Sequence, residues 1–266
     1  MFELWLFTTD INLACSSVLA GIKGIIIDWE CKGKEERQKH TGMECNCDTL
    51  ADLIKIKKSV STKVICRINS IGSYTEEEVE SAIYGGADII FLPMVKTPDE
   101  VKKFLRFIKG RCKAGILIEN KEGINNAELI ARLSVDYVYI GLNDLSLSRG
   151  SQNIFEAVAD GTVEKTRKIF NKNIFGFGGI TLLGRGDPIP FNLLLKEMSR
   201  IECGFGFLRR AFKRDITGRN INLEIKNILN AFEFLKSRTE EEKNKDKNEL
   251  YKFIGNIIKN ENSADV

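Results

Sequence analysis

No stretch of this chain stays apolar long enough to cross a bilayer, since none approaches the roughly 18 to 20 residues that a membrane helix needs. The opening Met1-Phe-Glu-Leu-Trp-Leu-Phe-Thr-Thr-Asp10 has an acid at its third position, a short apolar run and no small-residue cleavage pattern, so it does not read as a signal peptide. An excess of one charge is missing too. Forty Lys+Arg face 37 Asp+Glu for a net charge of +3, and the signs are mixed along the chain instead of gathered into a basic stripe, which sets nucleic acid aside as a partner. Histidine occurs once, as His40. The seven cysteines are odd in number, and Cys66, Cys112 and Cys203 lie in or beside predicted strands, which favours reduced thiols over a disulfide framework. Cys31, His40, Cys45 and Cys47 follow a C-x8-H-x4-C-x-C spacing that matches none of the paired-ligand zinc patterns. The expectation is a soluble, cytoplasmic protein with no membrane and no nucleic-acid partner.

What is present is a rhythm. Short Ile/Val/Phe-rich runs alternate with amphipathic stretches, the pattern of β–α units wound into a parallel sheet. Strands are predicted near 2–8, 24–28, 63–68, 88–92, 114–118, 136–141, 174–180 and 203–208. Eight units close a barrel, so the expected fold is a (β/α)8 TIM barrel over 1–238 with a C-terminal helical extension, 239–266 being a charged linker and C-terminal helix. Thr75 with Glu78 and Thr97-Pro98 with Glu100 read as helix starts, Asn125 or Asn126 as a further cap, and Gly85-Gly86 and Gly110 as helix stops. Gly176-Phe-Gly-Gly179, inside a predicted strand, reads as a barrel bend more readily than as a phosphate loop. Two segments exceed a minimal barrel. One is the long polar connection 29–47, with Lys32, Lys34, Arg37 and Gln38. The other is the charge run Thr239–Asn248, followed by Leu250, Phe253, Ile254, Ile257 and Ile258 at helical spacing, which is expected to be helical and available to a neighbouring subunit.

The chemistry gathers where strands end. Asp28-Trp29-Glu30 follows the second strand, Arg67-Ile68-Asn69 the third, Glu119 the fifth and Asn143-Asp144 the sixth. In a parallel barrel these ends share one rim. Glu119 and Asp144 offer the hard oxygen ligands that Mg²⁺ or Mn²⁺ takes alongside water and substrate oxygens. Arg67, always charged and forked, suits a carboxylate or a developing negative charge. Backbone N–H groups around Gly141, Leu142, Asn143 and Asp144, at a strand-to-helix turn, suit a substrate carboxylate. The same rim carboxylates would also be satisfied by simple ion pairs with Arg67 or lysines. Lys32, Lys34 and Arg37 fit either a solvated charge run or a contact to an anionic or phosphorylated substrate.

Six stretches, in order, resemble the HpcH/HpaI aldolase/citrate lyase β-subunit group within the phosphoenolpyruvate/pyruvate-binding TIM barrels. They are Gly24-Ile-Ile-Ile-Asp-Trp-Glu30, Cys66-Arg-Ile-Asn69, Gly86-Ala-Asp-Ile-Ile-Phe-Leu-Pro-Met-Val95, Ile118-Glu-Asn-Lys-Glu-Gly123, Gly141-Leu-Asn-Asp-Leu-Ser146 and Leu208-Arg-Arg-Ala-Phe-Lys-Arg-Asp215. The similarity spans about residues 12–215. It implies a Mg²⁺- or Mn²⁺-dependent carbon–carbon lyase or aldolase on a small 2-oxo acid such as pyruvate, working through an enolate and assembled as a homo-oligomer. It implies Glu119 and Asp144 as metal ligands, Arg67 as the catalytic arginine, Asp28 and Glu30 as the acidic end of the second strand, and Leu142 to Asp144 as substrate contacts. One position departs. Cys31 stands where pyruvate aldolases of the group carry a catalytic histidine and many CoA lyases an aspartate. That departure keeps other readings in play: phosphoenolpyruvate chemistry, an acyl-CoA lyase, His40 reaching in from the loop, or a barrel without catalysis that serves as a binding or assembly subunit.

Overall fold

The computed structural model describes residues 1–32, 47–208 and 210–264. All eight expected strands are present: β1 (Glu3–Phe7), β2 (Gly24–Asp28), β3 (Lys63–Arg67), β4 (Ile89–Leu92), β5 (Lys113–Ile118), β6 (Tyr137–Ile140), β7 (Ile174–Phe177) and β8 (Phe205–Leu208). They form one parallel sheet in the order β7-β6-β5-β4-β3-β2-β1-β8. The seam between β7 and β8 is bridged by Gly204 N–H donating to the Phe175 carbonyl at 2.8 Å and by a parallel pairing of Ile180 with Leu208, so the barrel is nearly closed. Gly176 sits at this seam because a Cβ there would strike the Phe205 carbonyl. Close backbone approach is the role of Gly176, and the chain bends just beyond it at Gly178.

The described helices of the first half are α1 (Ile11–Leu19), α2 (Leu50–Ser59), α3 (Thr75–Tyr84), α4 (Pro98–Ile108), α5 (Lys121–Asn125) and α6 (Ala127–Ile130). Those of the second half are α7 (Leu142–Arg149), α8 (Glu156–Ala159), α9 (Thr162–Ile169), α10 (Phe191–Arg200), α11 (Arg210–Asp215), α12 (Ile221–Lys236) and α13 (Glu240–Ala264).

Strand periodicity sorts side chains into two cores, because successive residues point to opposite faces. Leu4, Leu6, Ile25, Ile27, Val64 and Cys66 face outward and are buried under the helices. The alternate residues, including Trp5, Ile26, Ile65, Phe91, Leu117 and Phe207, fill the barrel. Aromatic rings dominate that interior. Trp5 lies 4.5 Å from Phe205 between ring centroids, and Tyr139 stacks on Phe207 at 3.9 Å.

Helix starts agree with the sequence where the capping residue lies outside the helix. Thr97 and Glu100 form a reciprocal capping box at the head of α4. Thr75 does not cap: it is already helical, its hydroxyl accepts from Gly72 N–H at 2.8 Å, and Glu78 turns to Asn69 instead. Asn126 precedes α6 without a capping bond and donates from its amide to the Lys96 carbonyl at 2.9 Å.

Residues 240–248 of the charge run are the first part of α13. Leu250 and Ile254 are fully buried within the chain's own core. The helix packs along α10. Asp246, also buried, is held by Lys196 Nζ at 3.1 Å and Arg238 Nη1 at 2.9 Å, which supplies the counter-charge that a buried carboxylate requires. Leu250→Ala is expected to lower unfolding stability by about 2–5 kcal/mol in urea titrations. A loss below about 0.5 kcal/mol would show that α13 shares no core with the barrel.

Candidate active site

The two-residue period that fills the barrel also selects its polar rim. Asp28 follows inward Ile26, Arg67 follows inward Ile65 and Glu119 follows inward Leu117, so each continues its strand's interior face past the aromatic packing. All three line a cavity of about 530 Å³ at the carboxyl ends of the strands. Tyr139 and Phe207 also line that cavity, and their stacked rings belong to the interior packing.

Arg67 is the centre of charge. Its Nε and Nη2 donate to the two Asp28 oxygens at 2.9 and 2.7 Å, and its Nη1 lies 3.0 Å from Glu30 Oε2. The guanidinium carbon stands 5.1 Å from the Phe7 ring centroid, adding a cation–π contact. Burial works against the guanidinium's charge, but Asp28 and Glu30 outweigh it and push its pKa above the usual arginine value. Arg67 therefore stays charged, with both rotation and translation fixed.

Asp28 is clasped from its own backbone. Its N–H donates to Asp48 Oδ2 at 2.8 Å, and Asp48 N–H returns a bond to the Asp28 carbonyl at 3.0 Å. The Asp48 carboxyl is pushed up by burial, with the nearby Asp28 charge adding to it.

Glu119 is buried beside Gly141, where an added Cβ would collide with its carboxylate. Its Oε2 accepts from Met94 N–H at 3.2 Å. Met94 adopts φ 57°, a left-handed conformation that side-chain-bearing residues rarely take, and Asn120 braces that turn with amide bonds to the Met94 and Val95 carbonyls at 3.3 and 3.2 Å. Burial raises the Glu119 carboxyl to about 8, with the charges of Glu30 and Asp144 adding to it and those of Arg67 and Met94 N–H opposing. Burial and the neighbouring carboxylates thus outweigh the pull of Arg67 on this group.

Asp144 lies past the end of its strand, at the strand-to-helix turn. β6 stops at Ile140, and Asp144 lies in the first turn of α7, four residues on. It still faces the cavity, as do Leu142 and Asn143. Leu142, Asn143 and Asp144 form the first turn of that helix, whose amides have no intrahelical acceptor. Among the described residues no group of three His, Cys, Asp or Glu side chains forms a metal cage. The donor set is instead an open one: carboxylate oxygens at Glu119 and Asp144 on one cavity, with the Asp144 charge raising the Glu119 carboxyl. Such a set fits a hard divalent cation that keeps water or substrate oxygens.

Several contributors were not legible beforehand. Met94 sits in one of the family-like stretches without a role marked there, and Asp48 carries no motif. Glu78 was read as a cap, yet it accepts from Asn69 N–H at 3.0 Å and Asn69 Nδ2 at 2.7 Å, while Asn69 Oδ1 receives the N–H groups of Cys31 and Lys32 at 3.0 and 2.8 Å. Lys32 Nζ lies 3.4 Å from the Tyr74 ring centroid and 3.9 Å from Glu78 Oε1. That pair of contacts draws Lys32 toward α3. Lys34, Arg37, Gln38, His40 and Cys45 lie outside the described residues. Sequence neighbours Ala211, Lys213 and Arg214 join the cavity wall from α11, and Gly178 and Gly179 from the turn after β7.

Residues 2–160 match the family model described as HpcH/HpaI aldolase/citrate lyase. Among solved structures, an HpcH/HpaI aldolase from Desulfitobacterium hafniense DCB-2 is similar at TM-score 0.61 and 12% identity, covering 90% of this chain and 94% of that one. An HpcH/HpaI aldolase/citrate lyase family protein from Burkholderia cenocepacia J2315 is similar at TM-score 0.59 and 13% identity, covering 89% and 95%. Protein CitE from Mycobacterium tuberculosis, in complex with magnesium and pyruvate, is similar at TM-score 0.58 and 15% identity, covering 89% and 98%. No curated protein matches the sequence.

The raised Glu119 carboxyl has a thermodynamic signature. The folded state holds a proton that the unfolded chain releases, so stability is lost as pH climbs from about 4.5 to about 8 and the carboxylate is forced to ionise in place. In metal-free buffer, the melting temperature of the native chain relative to Glu119→Gln is expected to fall across that window. Parallel curves would show that Glu119 titrates normally.

Proposed function

We propose that this chain, which belongs to the HpcH/HpaI aldolase/citrate lyase family, is a carbon–carbon lyase acting on a small 2-oxo acid with Mg²⁺ or Mn²⁺ held by Glu119 and Asp144. The observation that carries this reading is the meeting of Glu119, Asp144 and Arg67 on one cavity at the strand ends. The magnesium and pyruvate bound to the similar CitE barrel support the same ligand chemistry here. When bound, the ion would supply Lewis acidity at the keto oxygen.

The chain's own residues do the rest. Glu119 and Asp144 present oxygen ligands, and their mutual repulsion favours a cation over an empty pair. Arg67 faces the cavity with its charge fixed, so it stabilises negative charge that builds on the substrate oxygen as the carbon–carbon bond breaks to the enolate. Asp28 and Glu30 orient that guanidinium. Leu142, Asn143 and Asp144 start α7 where its amides receive the substrate carboxylate. Cys31 is a poor base: burial, then its neighbour Cys47, pushes its thiol up to about 12, and its S–H donates to the Trp29 carbonyl at 3.3 Å. Proton transfer is therefore assigned to water or to the substrate. The phosphoenolpyruvate reading loses Lys32, which is drawn onto Tyr74 and Glu78.

A panel of pyruvate–aldehyde aldol adducts, assayed for Mn²⁺-dependent pyruvate release, tests the proposal. Glu119→Ala is expected to abolish turnover, and Arg67→Lys to lower kcat by about 10²–10³. Mn²⁺ affinity in calorimetry is expected to rise with pH through about 8, as the Glu119 proton ceases to compete. Mn²⁺ binding without pyruvate release from any adduct would favour a binding subunit. Absence of Mn²⁺ binding would overturn the metal site.

A further inference from the structure

We propose that Cys31 and Cys47 are a redox-active dithiol at the rim, converted reversibly to a disulfide by a low-molecular-weight disulfide of the glutathione class. The two cysteines are separated by a long connection, and the fold brings them together from both sides. The two-way bonds between Asp28 and Asp48 clamp the strand that leads to Cys31 against the residue that follows Cys47. Asn69 Oδ1 holds the Cys31 N–H at 3.0 Å, fixing that residue's backbone against β3. The Cys47 thiol bears directly on the Cys31 thiol, helping burial to raise it. Cys47 is exposed and Cys31 half-buried, whereas Cys66 and Cys203 are buried. Cys15, also half-buried, donates its thiol to the Ser59 carbonyl at 3.3 Å. An accessible thiol poised beside a second one is the arrangement that resolves oxidation as a protein disulfide.

The chemistry is a two-step exchange. Cys47, the exposed partner, attacks one sulfur of oxidised glutathione as a thiolate, forming a mixed disulfide and expelling one glutathione thiolate. Cys31 then gives up its S–H proton to solvent and attacks the Cys47 sulfur, expelling the second glutathione. Two cysteine thiols are oxidised by two electrons, and one glutathione disulfide is reduced to two thiols. The burial that makes the Cys31 thiol reluctant to ionise gives it the resolving role, not the attacking one. Once oxidised, Cys31 has no S–H to donate to the Trp29 carbonyl, and a covalent link joins the residue after Glu30 to the residue before Asp48. This inference does not depend on the lyase reading.

The full chain, reduced and then freed of reductant, is incubated with oxidised glutathione and mapped by mass spectrometry without further reduction. The expected result is a species two hydrogens lighter than the dithiol, with Cys31 joined to Cys47, reverting fully in dithiothreitol. Cys45→Ser is expected to form the same link, and Cys31→Ser to stop at a glutathione adduct on Cys47. A link that maps to Cys45, a persistent adduct on Cys47 in the native chain, or no mass change would overturn the proposal. The native-chain map decides the matter alone, so a variant that fails to fold does not blur it.

Discussion

The rim is organised by one buried guanidinium shared between two buried carboxylates. Moving three charges out of water is costly unless each finds its partner in good geometry, and Arg67 meets Asp28 with two bonds and Glu30 with a third contact. That unit cannot form unless β2 and β3 are in register, and Asp28 is indeed paired with Arg67 across the two strands. Glu119 and Asp144 add two further carboxylates to the same cavity, whose wall also carries Lys213 and Arg214. Burial raises the Glu119 carboxyl, and the charges of Glu30 and Asp144 add to it.

Around that unit, the supporting contacts come mostly from backbone. Met94 offers an amide to Glu119 from a left-handed turn, Asn120 braces the turn, and Gly141 withholds a side chain where the carboxylate must lie. Asn69, two residues past Arg67 on the same strand end, passes the grip of Glu78 to the backbone of Cys31 and Lys32. Residues with no chemistry of their own thus set the positions of those that have it.

The barrel was legible because buried parallel strands announce themselves as short apolar runs, and the count of runs equals the count of strands. Asp28, Arg67 and Glu119 were legible for a related reason: a charged residue ending an apolar strand must face either the rim or the helices, and the two-residue period sends these three inward. Asp144 was placed just past the sixth strand at a strand-to-helix turn, and it lies in the first turn of α7. Thr75 and Glu78 matched a local capping pattern, yet the two N–H donors of Asn69 formed a better tertiary partner for the glutamate. The left-handed Met94 and the clasp at Asp48 left no trace in the sequence, because both arise from what lies across space. The C-terminal apolar residues were recognised as a helical face, of which Leu250 and Ile254 are buried in the chain's own core while Phe253 stays exposed.

The aromatic plug inside the barrel has a kinetic corollary. With Trp5, Phe91, Phe205 and the Tyr139–Phe207 stack filling the space between the strands, the cavity is a vessel with a floor, not a tunnel. Whatever settles deepest, against Glu119 and Arg67, must arrive first and depart last. Anything that reacts with it enters above it and blocks its escape while both are present, so the architecture imposes a sequence of arrivals and departures on any two-molecule event within it.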